Sequence, residues 1–174
     1  MRLISLFLTF FFWNILGFAQ SFFPELSTET ISGESAMVPG QFKGRFVFIG
    51  VGGSKKAEDN LRSWQNPVYN KFIAKTGLMD NMYDVEVCFL PLFTGAAKAS
   101  KNQVIKKLEQ NNEKLVLDHV YVYSGKKEPF EKLGVENKKE PFFFLLNPEG
   151  IVVWSAKGSF RQSYFDEIED ILTQ

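Results

Sequence analysis

Glu140-Pro141-Phe142-Phe143-Phe144-Leu145-Leu146-Asn147-Pro148-Glu149-Gly150-Ile151-Val152-Val153-Trp154 is the stretch on which the fold turns. Two apolar runs, 142–146 and 151–154, flank Asn-Pro-Glu-Gly, and short β-prone runs separated by so few turn residues predict a β-hairpin. Just upstream, Glu128 to Leu133 predicts one or two helical turns closed by Gly134. Just downstream of Gly158, Ser163 to Leu172 predicts a terminal helix. Its inner face is Tyr164, Phe165, Ile168, Ile171 and Leu172, mostly at spacings of three and four.

Toward the N-terminus the pattern repeats as strand and helix in turn. Tyr83 to Phe93 reads as a buried strand whose regular pairing Pro91 ends, and Lys101 to Gln110 as an amphipathic helix with Val104, Ile105 and Leu108 inward. Val116 to Tyr123 reads as a further short strand. Arg45 to Gly50 is a strongly apolar strand running into Gly50-Val51-Gly52-Gly53-Ser54. Ala57 to Lys75 follows as a helix, carrying Leu61, Trp64, Val68, Phe72 and Ile73, broken or kinked at Pro67. Phe22 to Pro39, with the turn Ser32-Gly33-Glu34, predicts an N-terminal hairpin. Strands alternating with helices predict an α/β, three-layer sandwich around a mixed sheet.

Composition narrows the functional classes. Across 174 residues there are 20 Lys+Arg, 20 Asp+Glu, one Cys and one His. A single Cys88 and a single His119 cannot supply a structural zinc site or a multi-histidine centre, so neither metal nor cofactor is expected. A balanced charge lacks the basic excess of a nucleic-acid binder, and 45% hydrophobic content supports one full core. Met1-Arg2, the apolar run Leu3 to Phe18, and small residues at Gly17 and Ala19 read as a secretory signal peptide spanning residues 1–19. Cleavage after Ala19 leaves one domain, residues 20–174, exported to the periplasm or secreted. An uncleaved segment would instead tether that domain to a membrane. In an oxidising compartment the lone Cys88 is either hidden or used.

The chain resembles the thioredoxin-like superfamily, in the branch containing peroxiredoxins and exported thiol-disulfide proteins with an added N-terminal hairpin. The likeness rests on Phe23-Pro24-Glu25-Leu26, Ser32-Gly33 and Lys43-Gly44-Arg45 before the first core strand. It continues in Lys132-Leu133-Gly134-Val135, Glu140-Pro141, the hairpin at Asn147-Pro148-Glu149-Gly150, and Gly158. The resemblance implies a cis Pro141 facing the active site. It also implies a Cys-x-x-Cys or a peroxidatic cysteine at the start of the first long helix, where this chain has Gly53-Ser54-Lys55-Lys56-Ala57 instead. A looser resemblance links the chain to mitochondrial ATP synthase assembly factors, thioredoxin-like chaperones without a redox centre, through Ser63-Trp64, Pro67, Leu92-Phe93, Gly95, Lys98, Trp154 and Gly158.

These readings converge on a redox-inactive, non-enzymatic domain that binds a protein or extended peptide, in an assembly or chaperone role. The expected contact residues are Ser54, Lys55, Lys56, Trp64, Glu140 and Pro141. Backbone pairing to an extended partner is a mode that does not need cysteines. The rival is a thiol-dependent antioxidant or reductase using Cys88 with an external thiol; His119, far away in sequence, reads as an ordinary, partly exposed histidine rather than an activating base. Gly50 to Lys56 also looks like a phosphate loop but fits neither glycine-rich phosphate-binding pattern.

Overall fold

Apolar side chains alternate between two faces in each central strand, and that alternation builds the molecule. The computed structural model describes residues 21–112, 114–135 and 139–174, the side chains of residues 58 and 59 aside. Residues 1–20, where the leader and its cleavage point are expected, and Lys138 lie outside the described residues. β3 (Phe46–Gly52) and β4 (Val85–Pro91) pair in parallel, with Phe46 opposite Val85 and Gly52 opposite Pro91. β6 (Phe142–Leu146) lies antiparallel on the other side of β3, Phe142 opposite Val51, and β7 (Val152–Lys157) closes that edge. The predicted N-terminal hairpin is β1 (Leu26–Thr30) and β2 (Ser35–Val38), and β5 (Tyr121–Val122) pairs antiparallel with β1. Parallel bridges from Phe89 to Val120 and from Leu92 to Tyr123 join the sheet β2-β1-β5 to the sheet β4-β3-β6-β7.

On one face Phe48, Val87, Phe89, Phe143 and Leu145 pack against α1 (Lys55–Val68) and α5 (Gln162–Leu172). On the other, Val47, Ile49, Val51, Cys88, Leu90, Phe144 and Leu146 meet Phe23, Phe42 and Phe130, the last on α4 (Glu128–Glu131). Each fully buried side chain of this size contributes about 1.5–3 kcal/mol relative to exposure, so the two clusters hold the layers together. Pro67 lies within α1, which continues one residue past it and opens into a π-helical turn at Tyr69–Ile73, closed by Ala74 N–H on the Tyr69 carbonyl at 2.8 Å. No described helix is long and apolar enough to cross a membrane.

Two sequence expectations change. Val116 to Tyr123 is not one strand: α3 (Lys114–Leu117) takes its first part, with Asp118 N–H on the Lys114 carbonyl at 2.9 Å and Val120 N–H on the Leu117 carbonyl at 3.0 Å. Those local bonds, with the Lys114–Asp118 ion pair, hold the segment as a helical turn until pairing begins at the His119 carbonyl, which accepts the Phe89 N–H at 2.8 Å. α2 (Lys101–Asn111) forms where predicted, yet Val104, Ile105 and Leu108 are only half-buried, because the helix sits at the rim and only Leu108 reaches a core cluster.

The turn before β4 is inside out. Asp80, 5% exposed, accepts the Gly77 N–H at 2.6 Å and pairs with Lys71 at 3.2 Å, while Leu78, 96% exposed, Met79 and Met82 face solvent. Lys71 also pairs with Glu169 of α5 and lies 5.0 Å from the Tyr83 ring centre, so one cation ties the π turn, this turn and the last helix. Burial, the largest influence, pulls the Lys71 pKa down, but the bonds to Glu169 and Asp80 more than offset it and raise it above 10.5. A lysine whose folded pKa exceeds its unfolded value stabilises fully below the unfolded value and loses that contribution as pH rises through the folded one. The denaturation midpoint is therefore expected to fall above pH 10.5, and to fall less in Lys71→Met, measured by urea titration across the alkaline range.

Candidate functional site

The end of β3 runs close beneath α1. A Cβ on Gly50 would stand 3.1 Å from a Phe143 ring carbon, and one on Gly52 would stand 2.9 Å from a Leu61 methyl, so only glycine fits this approach without displacement. Ser54 then caps α1, its Oγ accepting the Ala57 N–H at 3.3 Å, and Lys55 and Lys56 emerge exposed. Because Phe142 is opposite Val51, Pro141 lies beside the end of β3. The topology thus brings the Ser54 and Pro141 loops to one end of the sheet.

Two expected contacts take other roles. Trp64 is fully buried, its ring stacked on Phe143 at 4.0 Å between centres and on Tyr164 at 5.4 Å, and its Nε1–H donates to the Gly158 carbonyl at 2.9 Å. A side chain with no exposed surface supports the site from beneath and touches no partner. Pro141 is not cis: among the described residues the cis peptide is Val38–Pro39, and Glu140–Pro141 keeps the ordinary trans state of most X-Pro bonds. Pro141 is itself buried, and its carbonyl accepts the Gly158 N–H at 3.0 Å, so Gly158 links the proline loop to Trp64. Glu140 is half-buried at the loop's edge.

An open cavity of about 630 Å³ lies on the other side of Gly53, toward β4 and β5. Gly53, Thr94 to Lys98 and Gly125 to Glu128 line it. These segments directly follow β3, β4 and β5, the three parallel strands, and the crevice outside the carboxyl ends of such strands is where open α/β sheets hold ligands. The sequence reading missed Thr94, Gly95, Ala96 and Ala97 as site residues. The only signal for them was their place directly after a strand that turns out to be parallel.

Neither Cys88 nor His119 lines this cavity. Cys88 is fully buried in β4 with its side chain in the cluster beneath α4, and burial, with Glu86 adding to it, pushes its thiol well above the usual 9.0. The thiolate is the reactive form, and this environment suppresses it. His119 Nδ1 stands 3.2 Å from the Val87 carbonyl oxygen, so that ring nitrogen is occupied by backbone. Among the described residues no group of three or more His, Cys, Asp or Glu could hold a metal ion.

No protein-family model and no curated protein matches the sequence. Solved structures do. The thioredoxin domain of a thiol-disulfide oxidoreductase from Bacteroides vulgatus superposes with a TM-score of 0.59 at 16% identity, over 88% of this chain and 96% of that one. The exposed lipoprotein thioredoxin Etrx1 of Streptococcus pneumoniae gives 0.61 at 15% identity, over 86% and 100%. The fold is thioredoxin-like. BsSco, of the Sco family of cytochrome c oxidase assembly proteins, gives 0.55 at 15% identity, over 88% and 92%. Likeness at such identity establishes the architecture and leaves the activity to the residues. This thioredoxin-like chain has Cys88 as its one cysteine, so dithiol exchange within the chain has no second thiol. In native protein Cys88 is expected to stay unmodified by a thiol reagent at mildly alkaline pH and to react at once on unfolding in urea, followed by mass spectrometry. Rapid native labelling would reinstate the thiol-dependent reading.

Proposed function

We propose that this chain is an exported, redox-inactive thioredoxin-like domain that binds an extended segment of a protein partner, in an assembly or chaperone role. The observation that carries this reading is the open cavity at the carboxyl ends of β3, β4 and β5, bordered by exposed backbone and small side chains, with the one thiol shut away in β4. A site with room for polypeptide and without access to the thiol suits holding a partner. The Ser54 loop and Glu140 flank it from the β6 side, so Ser54, Lys55, Lys56 and Glu140 remain contact residues in this reading. BsSco carries a description as an assembly protein on the same fold, which supports an assembly role without a shared chemistry. In the looser likeness to ATP synthase assembly factors, Trp64, Leu92, Phe93 and Trp154 are buried and serve packing, whereas Gly95 and Lys98 line the cavity.

Ala96 is exposed on the cavity wall, so Ala96→Trp fills the space without touching either core cluster. Binding of short unstructured peptides, followed by fluorescence anisotropy, is expected to drop at least about ten-fold in Ala96→Trp, a loss of about 1.4 kcal/mol, while the thermal midpoint is unchanged. Equal binding by the folded variant would remove the cavity from the mechanism. Export is tested separately: N-terminal sequencing of protein recovered from the cell envelope is expected to begin at Gln20, and intact Met1 in the membrane fraction would establish a retained tether.

A further inference from the structure

We infer that the partner segment is acidic: the cavity recognises an extended run rich in Asp and Glu. This deepens the binding reading above and rests on it. The chain as a whole is neutral, 20 basic against 20 acidic side chains, so any surplus at one place reflects segregation of charge over the surface. Lys98, Lys126 and Lys127 stand in the cavity wall against one acid, Glu128, and Lys55 and Lys56 come after Ser54, outside the lining. Lys127 is engaged by Glu131 at 2.6 Å. Lys55, Lys56, Lys98 and Lys126 are exposed and make no ion pair with a described residue. Lys98 and Lys126 thus stand in the lining itself without an ion pair to any described side chain, and Lys55 and Lys56 lie beyond it on the first turn of α1.

The floor between them is small. Gly53, Gly95, Ala96, Ala97 and Gly125 let a partner's backbone approach closely, while the lysine stems reach over the edge to carboxylates. The cavity is open rather than enclosed, so a partner laid across it comes within reach of the charges at its edge. A second cavity of about 440 Å³ shares Gly125 and Lys126 with the first and continues along β1. Of its two acids, Glu29 pairs with Lys101 at 2.5 Å, whereas Glu25 accepts the Gly40 N–H at 3.2 Å and keeps its charge.

The test compares acidic, neutral and basic peptides of equal length by fluorescence anisotropy against the full chain, at low and high salt. Each exposed lysine adds modestly, so the acidic peptide is expected to bind about ten-fold more tightly than the neutral one at low salt, with the advantage shrinking as salt screens the charges. Lys98→Glu/Lys126→Glu is expected to abolish the preference, and Lys75→Glu, a charge reversal outside the cavity lining, is expected to leave it intact. Thermal midpoints confirm that each variant is folded. Equal binding of acidic and neutral peptides, still blocked by Ala96→Trp, would overturn the acidic preference and leave the peptide site standing. Absence of any peptide binding would remove both. Tighter binding of a single-stranded oligonucleotide than of the acidic peptide would also overturn it, because the lysines would then be reading phosphate.

Discussion

The stacking of Trp64 on Phe143 and its hydrogen bond to Gly158 fix where everything else stands. The indole lies between a strand, β6, and the ring of Tyr164 on α5, so one side chain sets the spacing of the helical layer above the sheet. Phe48 adds a ring 5.9 Å from the same indole, and Trp154 another at 6.2 Å. Aromatic pairs of this kind add about 0.5–1.5 kcal/mol each beyond their buried area. Its polar atom is satisfied as well, which a buried donor requires. α1 is thereby held with its N-terminus just after Gly53, where Lys55 and Lys56 are exposed and Ala57 is buried.

That arrangement separates the scaffold of a thioredoxin-like fold from its chemistry. The start of the first long helix holds Ser54, whose oxygen accepts the Ala57 amide N–H. The sulfur that is present sits on a strand, inside a cluster of aliphatic and aromatic groups that disfavours its charge. At the carboxyl ends of the parallel strands lies the open cavity, bordered by Gly53, Gly95 and Lys98.

How far the sequence could be read depended on what kind of signal each segment carried. Runs such as Phe142 to Leu146 and Val85 to Leu90 announce strands because nearly every residue must be buried on one face or the other. Val116 to Val122 carries the same composition, yet the Lys114–Asp118 pairing and the local turn bonds are invisible to a pattern of apolar residues. Trp64 was readable as an apolar position at helical spacing, but not as fully buried, since burial depends on Tyr164 and Gly158 about a hundred residues away. The cavity was the least legible element. It arises from three strand ends that only the parallel pairing of β3, β4 and β5 brings together, and glycine, alanine and lysine carry no periodicity that marks such a meeting.

The inverted turn before β4 has a consequence of a different order. Its shape is dictated from within, by the Asp80 carboxylate holding Gly77 and Lys71, while Leu78, Met79 and Met82 point outward. Form and outer sequence are thus uncoupled at this point in the chain. Mutations at the three outer positions leave both cores untouched, so the turn is a place where sequence can drift, lengthen or be replaced by a grafted loop while the fold beneath it stays the same.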